Sequence, residues 1–245
     1  MPWDSRTIFN KEFRFSEEFR KKAQEKPRRK FRAGYQPIVH REKRIKLLWP
    51  LDPSLRNKFK CPENLTIVTV STYPEKSIFE QSLDFLGITD YVVLSKPIKT
   101  QWRHTYKIEW ILEFLQSRRC KTEYLLYCDA RDTILVDDPH KILDIFETMY
   151  GELIFSSTVS KKGIFHRMPQ LLDWTRTVAQ KNSKYLNAGT FVGKTKFIQQ
   201  VFESAITLIG KFSRPYSDQD ILRYLRPVFY PEMNIDYFNK IFYRN

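Results

Sequence analysis

From Leu65 onward the chain alternates short apolar runs with longer amphipathic ones. LTIVTVS (Leu65–Ser71) is a β-branched run of strand length, suited to a strand buried on both faces. The segment EKSIFEQSLDFLG carries apolar residues at 78, 79, 83, 85 and 86, a helical stripe that Gly87 ends. YVVLS predicts a strand, and Trp102–Gln116 a helix with Ile108, Ile111, Leu112 and Leu115 on one face. EYLLYC is the next strand. Asp138 and Pro139 read as N-cap and first residue of a helix to about Met149. ELIFSS predicts a strand, Met168–Gln180 a helix, TFVG a short strand, Thr195–Ile209 a helix, and a last short helix starts at Ser217. This order implies an α/β fold, a mostly parallel central sheet with helices on both faces. No internal repeat is visible.

Residues 1–60 differ. QPIVH and RIKLLWPLDP are broken up by prolines, and one helix is expected over Ser16–Glu25. We therefore set 1–60 apart as a partly irregular leader and 61–245 as the folded domain. Charge supports the division: the leader holds 18 Lys/Arg against 7 Asp/Glu, the other 185 residues 24 against 21. Most of the net +14 thus belongs to the leader. A cluster such as KPRRKFR (Lys26–Arg32) suits weak contact with an anionic partner, or simply a solvated arm.

Composition removes several classes. No run approaches 18 apolar residues, so no membrane span is expected, and the N-terminus has no apolar core of a secretory signal. With three cysteines and no CxxC pair, a reducing, cytoplasmic location is the expectation. There is no GxGxxG, GxxxxGK[ST] or GxSxG. His40, His104, His140 and His166 are isolated in sequence, each read as a surface or core residue and not as a ligand.

The carboxylates remain. In YLLYCDARDTILVDDP a buried strand ends on Asp129 and Asp132, at the edge where open sheets of this kind bind ligands. Two aspartates there can share one Mg²⁺ or Mn²⁺, which would neutralise a leaving diphosphate. The plainer reading is a strand end and a turn cap. YLNAGTFVG (Tyr185–Gly193) places a small, amide-bearing turn before a strand, where Gly189 allows close backbone approach. In YSDQD, Ser217 and Asp220 have capping-box spacing, which leaves Asp218 and Gln219 unassigned.

Taken in order, VTVST, Tyr106-Lys107-Ile108 in a helix, YLLYCDARD, LIFSS, YLNAGTFVG, SDQD and NIDYFNKIF resemble the glycosyltransferase domain of the procollagen lysyl hydroxylases. These are galactosylhydroxylysine glucosyltransferases of the nucleotide-diphospho-sugar transferase (GT-A) fold. The resemblance covers about residues 61–245. It implies that Asp129 and Asp132 hold Mn²⁺ and the diphosphate, and that Val70, Ser71 and Thr72 line the uridine pocket. Arg131 stands where the family has a tyrosine near the uracil. Asn187 and the Gly189 backbone would contact the donor sugar, Asp218 and Gln219 would lie near sugar and acceptor, and Lys107 would approach the donor. The implied activity is transfer of a hexose, glucose or galactose, from a UDP-sugar to a hydroxyl of a glycan or protein acceptor, with retention.

Two departures stand out. The family's third metal ligand is a histidine in a later His-Gly-Asn segment, and no histidine follows His166 here. The metal is then completed by water and phosphate, bound weakly, or not bound. The family's LFSAE reads IFSST, with Thr158 in place of the acid. Two other classes stay open: a transferase fold reduced to a binding module, and a metal-dependent nucleic-acid enzyme that uses the leader as a clamp.

Overall fold

A computed structural model of the chain describes residues 37–40, 49, 51–98, 101–180, 185–209 and 216–244. The expected helix Ser16–Glu25 and the basic cluster Lys26–Arg32 lie outside the described residues. Nine strands are described: β1 (Ile38–His40), β2 (Leu65–Val70), β3 (Val92–Leu94), β4 (Tyr124–Cys128), β5 (Thr133–Leu135), β6 (Leu153–Thr158), β7 (Tyr185–Lys194), β8 (Met233–Ile235) and β9 (Phe242–Arg244). Six helices accompany them: α1 (Ile78–Leu86), α2 (Tyr106–Gln116), α3 (His140–Glu147), α4 (Pro169–Thr177), α5 (Thr195–Ile209) and α6 (Asp218–Leu225).

The main sheet has six strands in the order β3-β2-β4-β7-β6-β8. Its β2–β3, β2–β4 and β6–β8 pairs are parallel, and β7 runs antiparallel to both neighbours. The α/β class read from the sequence holds, with β7 as the reversed strand. Each face is covered, as the continuous apolar runs require. On one face α2, α5 and α6 pack Ile108, Ile111, Val201, Phe202 and Leu222 against Leu125, Phe155 and Phe191. On the other, α1 and α3 pack Phe79, Leu83, Ile142 and Phe146 against Ile67, Leu126 and Val192.

Local chemistry sets the helix bounds. Ser77 accepts from the Glu80 amide while the Glu80 carboxylate accepts from the Ser77 amide, a complete capping box, and Gly87 closes α1 at φ 92°. Helix α2 begins four residues later than the apolar stripe suggests, because residues 103–105 form a turn: the amides of Tyr106 and Lys107 bond to the carbonyls of Arg103 and His104. Helix α3 starts at His140, whose amide donates to Asp138 Oδ1 at 3.0 Å.

Strand β7 is longer than its sequence suggests. YLNAG was read as a turn ahead of TFVG, yet all ten residues are strand. The small residues fit there because the β6 register shifts between Phe155 and Ser156, so that Ser156 opposes Asn187. This irregularity turns β7 at the ligand edge of the sheet.

A second sheet, β5-β1-β9, packs against the α1/α3 face, with Ile38, Ile134, Leu135 and Phe242 in that core. Its central strand, Ile38–His40, comes from the segment read as leader. The compact unit that holds this strand spans residues 36–245. β1 pairs antiparallel with β5, opposing His40 to Thr133, and parallel with β9. Asp236 secures the turn into β9. Its two oxygens accept from the amides of Lys240, Ile241 and Phe242 at 2.8–3.0 Å.

Candidate active site at the carboxyl edge of the main sheet

Strand β4 delivers its last side chain to the sheet edge and the chain turns there. The Asp129 amide donates to Gly189 O at 2.8 Å, which locks the end of β4 to the middle of β7. Asp129 Oδ1 accepts from Tyr127 Oη at 2.8 Å and lies 2.9 Å from Lys107 Nζ. Tyr127 is itself fixed by stacking on Phe191. One carboxylate oxygen is thereby committed to the protein, and Oδ2 is left on the side of Gly189.

Lys107 projects from α2 and is buried. Its ammonium lies 2.6 Å from Asp218 Oδ2 and donates to Ala188 O at 3.1 Å, over the ring of Tyr127. Burial pulls its pKa down, but the Asp129 and Asp218 carboxylates outweigh that and hold it above the ordinary lysine value. The sequence alone allowed a solvated lysine; the side chain instead bridges two acids from different elements.

Helix α6 brings Asp218 and Gln219. Ser217 caps it by accepting from the Asp220 amide at 3.1 Å. The Asp220 carboxylate does not return to Ser217 as a capping box would; it accepts from the Ile164 amide at 2.8 Å and ties the loop after β6 to α6. Arg223 secures the same loop by donating to the carbonyls of Lys162 and Ser160. Gln219 Oε1 accepts from Asn187 Nδ2 at 2.8 Å, and Asn187 Oδ1 accepts from Ser156 Oγ and from the Gly189 amide. Asn187 is therefore the tie between β6, β7 and α6.

These residues meet. Lys107, Asp129, Asn187, Gly189, Asp218 and Gln219, all named from the sequence, line one cleft of about 230 Å³ together with His104, Ala188 and Ser217. Val70, Ser71, Thr72 and Arg131 are not part of that lining. The parallel β2–β4 pairing and a bond from Thr69 Oγ1 to Cys128 O at 2.8 Å run Val70–Thr72 alongside the Asp129 end of β4. Arg131 packs its guanidinium 4.4 Å from the centroid of the exposed Tyr73 ring and donates to its hydroxyl at 2.6 Å.

Sequence reasoning missed His40. It is 2% exposed, and its Nε2 lies 3.1 Å from Asp132 Oδ2. One donor atom from each of His40, Asp129 and Asp132 lies within 4.8 Å of the others. Two carboxylates and one imidazole are a donor set that suits a divalent cation of the Mn²⁺ type. The spacing of Gly189 reflects the same crowding. A Cβ there would come within 2.4 Å of His40 Cε1 and 2.7 Å of Asp129 Oδ2, so only glycine leaves both donors in place. The histidine escaped notice because the prolines around QPIVH hide a strand of three residues. Its one signal is the apolar pair Ile38–Val39 ending on a polar ligand type.

A family described as PLOD GT domain matches residues 62–209, more than half of the chain. The chain belongs to this family. Membership in the PLOD glycosyltransferase-domain family agrees with the mixed six-stranded sheet and its helices, a GT-A-like arrangement, and it implies a nucleotide-sugar donor and an acceptor. The matched segment holds Lys107, the two aspartates, Asn187 and Gly189; His40, Asp218 and Gln219 lie outside it. No curated protein sequence matches the chain. Among the described residues no helix is long and apolar enough to cross a membrane.

Proposed function

We propose that the protein is a metal-dependent glycosyltransferase that moves a hexose, glucose or galactose, from a UDP-sugar to an acceptor hydroxyl with retention. The observation that carries this reading is the Lys107 bridge: one ammonium joins Asp129, at the end of the acidic strand, to Asp218, on the opposite wall of the same cleft. In a chain of this family, that arrangement puts a fixed positive charge between the diphosphate side and the sugar side of a donor.

Asp129 and Asp132 would hold a divalent cation, which would supply Lewis-acid stabilisation of a departing diphosphate. The protein's own groups do the rest. Lys107 adds a buried positive charge that needs no reorganisation as negative charge grows on the leaving group. Asp218, 2.6 Å from that ammonium, would stabilise positive charge developing at the anomeric carbon. Asn187 and Gln219 hold their amides as one unit, which fixes the sugar-side wall and favours one orientation of donor and acceptor. Val70–Thr72 with Arg131 and Tyr73 form the nucleoside end. The glycan or protein acceptor approaches from the α6 side.

The test is UDP release across UDP-glucose, UDP-galactose and UDP-N-acetylhexosamines with Mn²⁺, using Asp132→Asn as control. Release from at least one donor that falls at least 100-fold in the variant supports the reading. Release from none of them, or equal release by the variant, refutes it.

A further inference from the structure

His40 lies outside the matched segment 62–209, yet the β5-β1-β9 sheet carries its ring to the acidic pair. Its other nitrogen has no visible use. His40 Nδ1, Thr133 Oγ1 and Thr190 Oγ1 are buried, and none has a hydrogen-bond partner among the described residues. His40 and Thr133 oppose one another across the antiparallel β1–β5 pair, where facing Cβ atoms are about 5 Å apart. Strand alternation sets His40 with Ile38, Thr133 with Leu135 and Thr190 with Val192, and those three side chains share one apolar cluster.

A buried imidazole nitrogen and two buried hydroxyls left unpaired would each cost about 1–3 kcal/mol. One buried water, which typically makes about three hydrogen bonds, would satisfy all of them. Metal-ligating histidines are held in the same way, with the second ring nitrogen donating to a fixed partner.

We propose that His40 is the third donor of a divalent-cation site with Asp129 and Asp132, held by a buried water shared with Thr133 and Thr190. The water accepts from Nδ1–H, so the lone pair of Nε2 faces the ion. This deepens the glycosyltransferase reading and rests on it only for the placement of the diphosphate beside the ion. The chemistry of the donor set selects the metal. An imidazole with two carboxylates suits Mn²⁺, Co²⁺ or Zn²⁺, whereas Mg²⁺ and Ca²⁺ favour all-oxygen sets. The ion would also pin β1 to the end of β4.

Mn²⁺ binding to the full chain, followed by electron paramagnetic resonance without any nucleotide, tests this. Mn²⁺-loaded wild type should show nitrogen-14 coupling from one imidazole, absent in His40→Gln, with affinity at least 10-fold lower in that variant. Thr133→Val should weaken Mn²⁺ about 10-fold, and Thr133→Ser, which keeps the hydroxyl, should restore it. Mg²⁺ at equal concentration should not displace Mn²⁺. Absence of nitrogen coupling in the wild type overturns His40 as ligand without relying on any variant. Wild-type affinity in Thr133→Val overturns the water-held orientation. Metal-dependent UDP release without nitrogen coupling would leave the transferase reading intact and sink this one; nitrogen coupling without binding of any UDP-sugar would do the reverse.

Discussion

Lys107 and Asp218 form a buried ion pair, Nζ to Oδ2 at 2.6 Å, between the first turn of α2 and the first turn of α6. Both side chains are less than a tenth exposed, so neither charge can be relieved by solvent if the other is removed. Lys107→Met should destabilise the fold by about 3–5 kcal/mol, the usual cost of stranding a buried charge. Adding Asp218→Asn should recover much of that loss in urea unfolding. UDP release should stay abolished in both the single and the double variant. Recovery of stability without recovery of turnover separates the structural part of the pair from its part in catalysis.

The same pair sets a pH response. Desolvation lowers the Lys107 pKa, but Asp129 and Asp218 raise it further, so the folded value lies above the ordinary 10.5. The folded protein then keeps this proton to higher pH than the unfolded chain. The stabilisation is fully present below pH 10.5 and fades as pH rises through the folded value. The stability gap between wild type and Lys107→Met should therefore be flat from pH 7 to 9 and narrow only in strong alkali. Denaturant titrations at each pH measure it; a gap that closes between pH 7 and 9 would contradict the pairing.

Gly189 gives a test of crowding. Its need for glycine is space and not a left-handed backbone, since the added methyl would meet His40 and Asp129. Gly189→Ala should cost about 1–3 kcal/mol in stability from overpacking and lower Mn²⁺ affinity by at least 10-fold. Combining it with His40→Ala, which vacates the ring, should return most of the stability but not the affinity. Calorimetric titration with Mn²⁺ alongside thermal melts reads both effects.

Much of this arrangement was legible in the sequence, and the pattern of what was not has physical causes. Long apolar runs identified β2, β4 and β6, Gly87 marked the end of α1, and Ser217 marked the start of α6. Six residues of the cleft followed from the family resemblance: Asp129 ends such a run, Asn187 and Gly189 lie in YLNAGTFVG, Lys107 lies in a helix, and Asp218 and Gln219 open another. Strands β1, β5, β8 and β9 have three residues each, too short for a period to register, and their pairing is long-range. His40 rides on one of them. Its partners are 89 and 92 positions away, so no local spacing could link it to Asp129 and Asp132. The extent of β7 was hidden for a different reason: Asn-Ala-Gly is turn-like chemistry, and only the shifted β6 register makes room for it within a strand.

Arg131 and Tyr73 are exposed and touch mainly each other, so their removal should spare the fold. A guanidinium on an exposed ring contributes about 0.5–1 kcal/mol, which a bound base would share or replace. Arg131→Ala and Tyr73→Ala should each raise KM for the UDP-sugar by roughly 3- to 10-fold, leave kcat within about twofold, and leave the melting temperature unchanged. A fall in kcat with constant KM would mean that the pair acts on the leaving group and not on the nucleoside.

Asp236 tests whether the second sheet supports the site from a distance. The residue is fully buried, with Oδ2 accepting from two amides and Oδ1 from a third, all in the turn that leads into β9. An asparagine keeps one acceptor and turns an NH₂ group toward backbone donors on the other side. Asp236→Asn should therefore lose about 1–3 kcal/mol in urea unfolding, the cost of buried donors left unpaired. Because β9 is the parallel partner of the strand that carries His40, the loss should reach the metal donors. Mn²⁺ affinity should drop severalfold in Asp236→Asn although the residue touches none of the three donors, whereas Asp173→Asn on the exposed face of α4 should change neither quantity. Equal Mn²⁺ affinity in Asp236→Asn and wild type would mean that β1 keeps its position without β9.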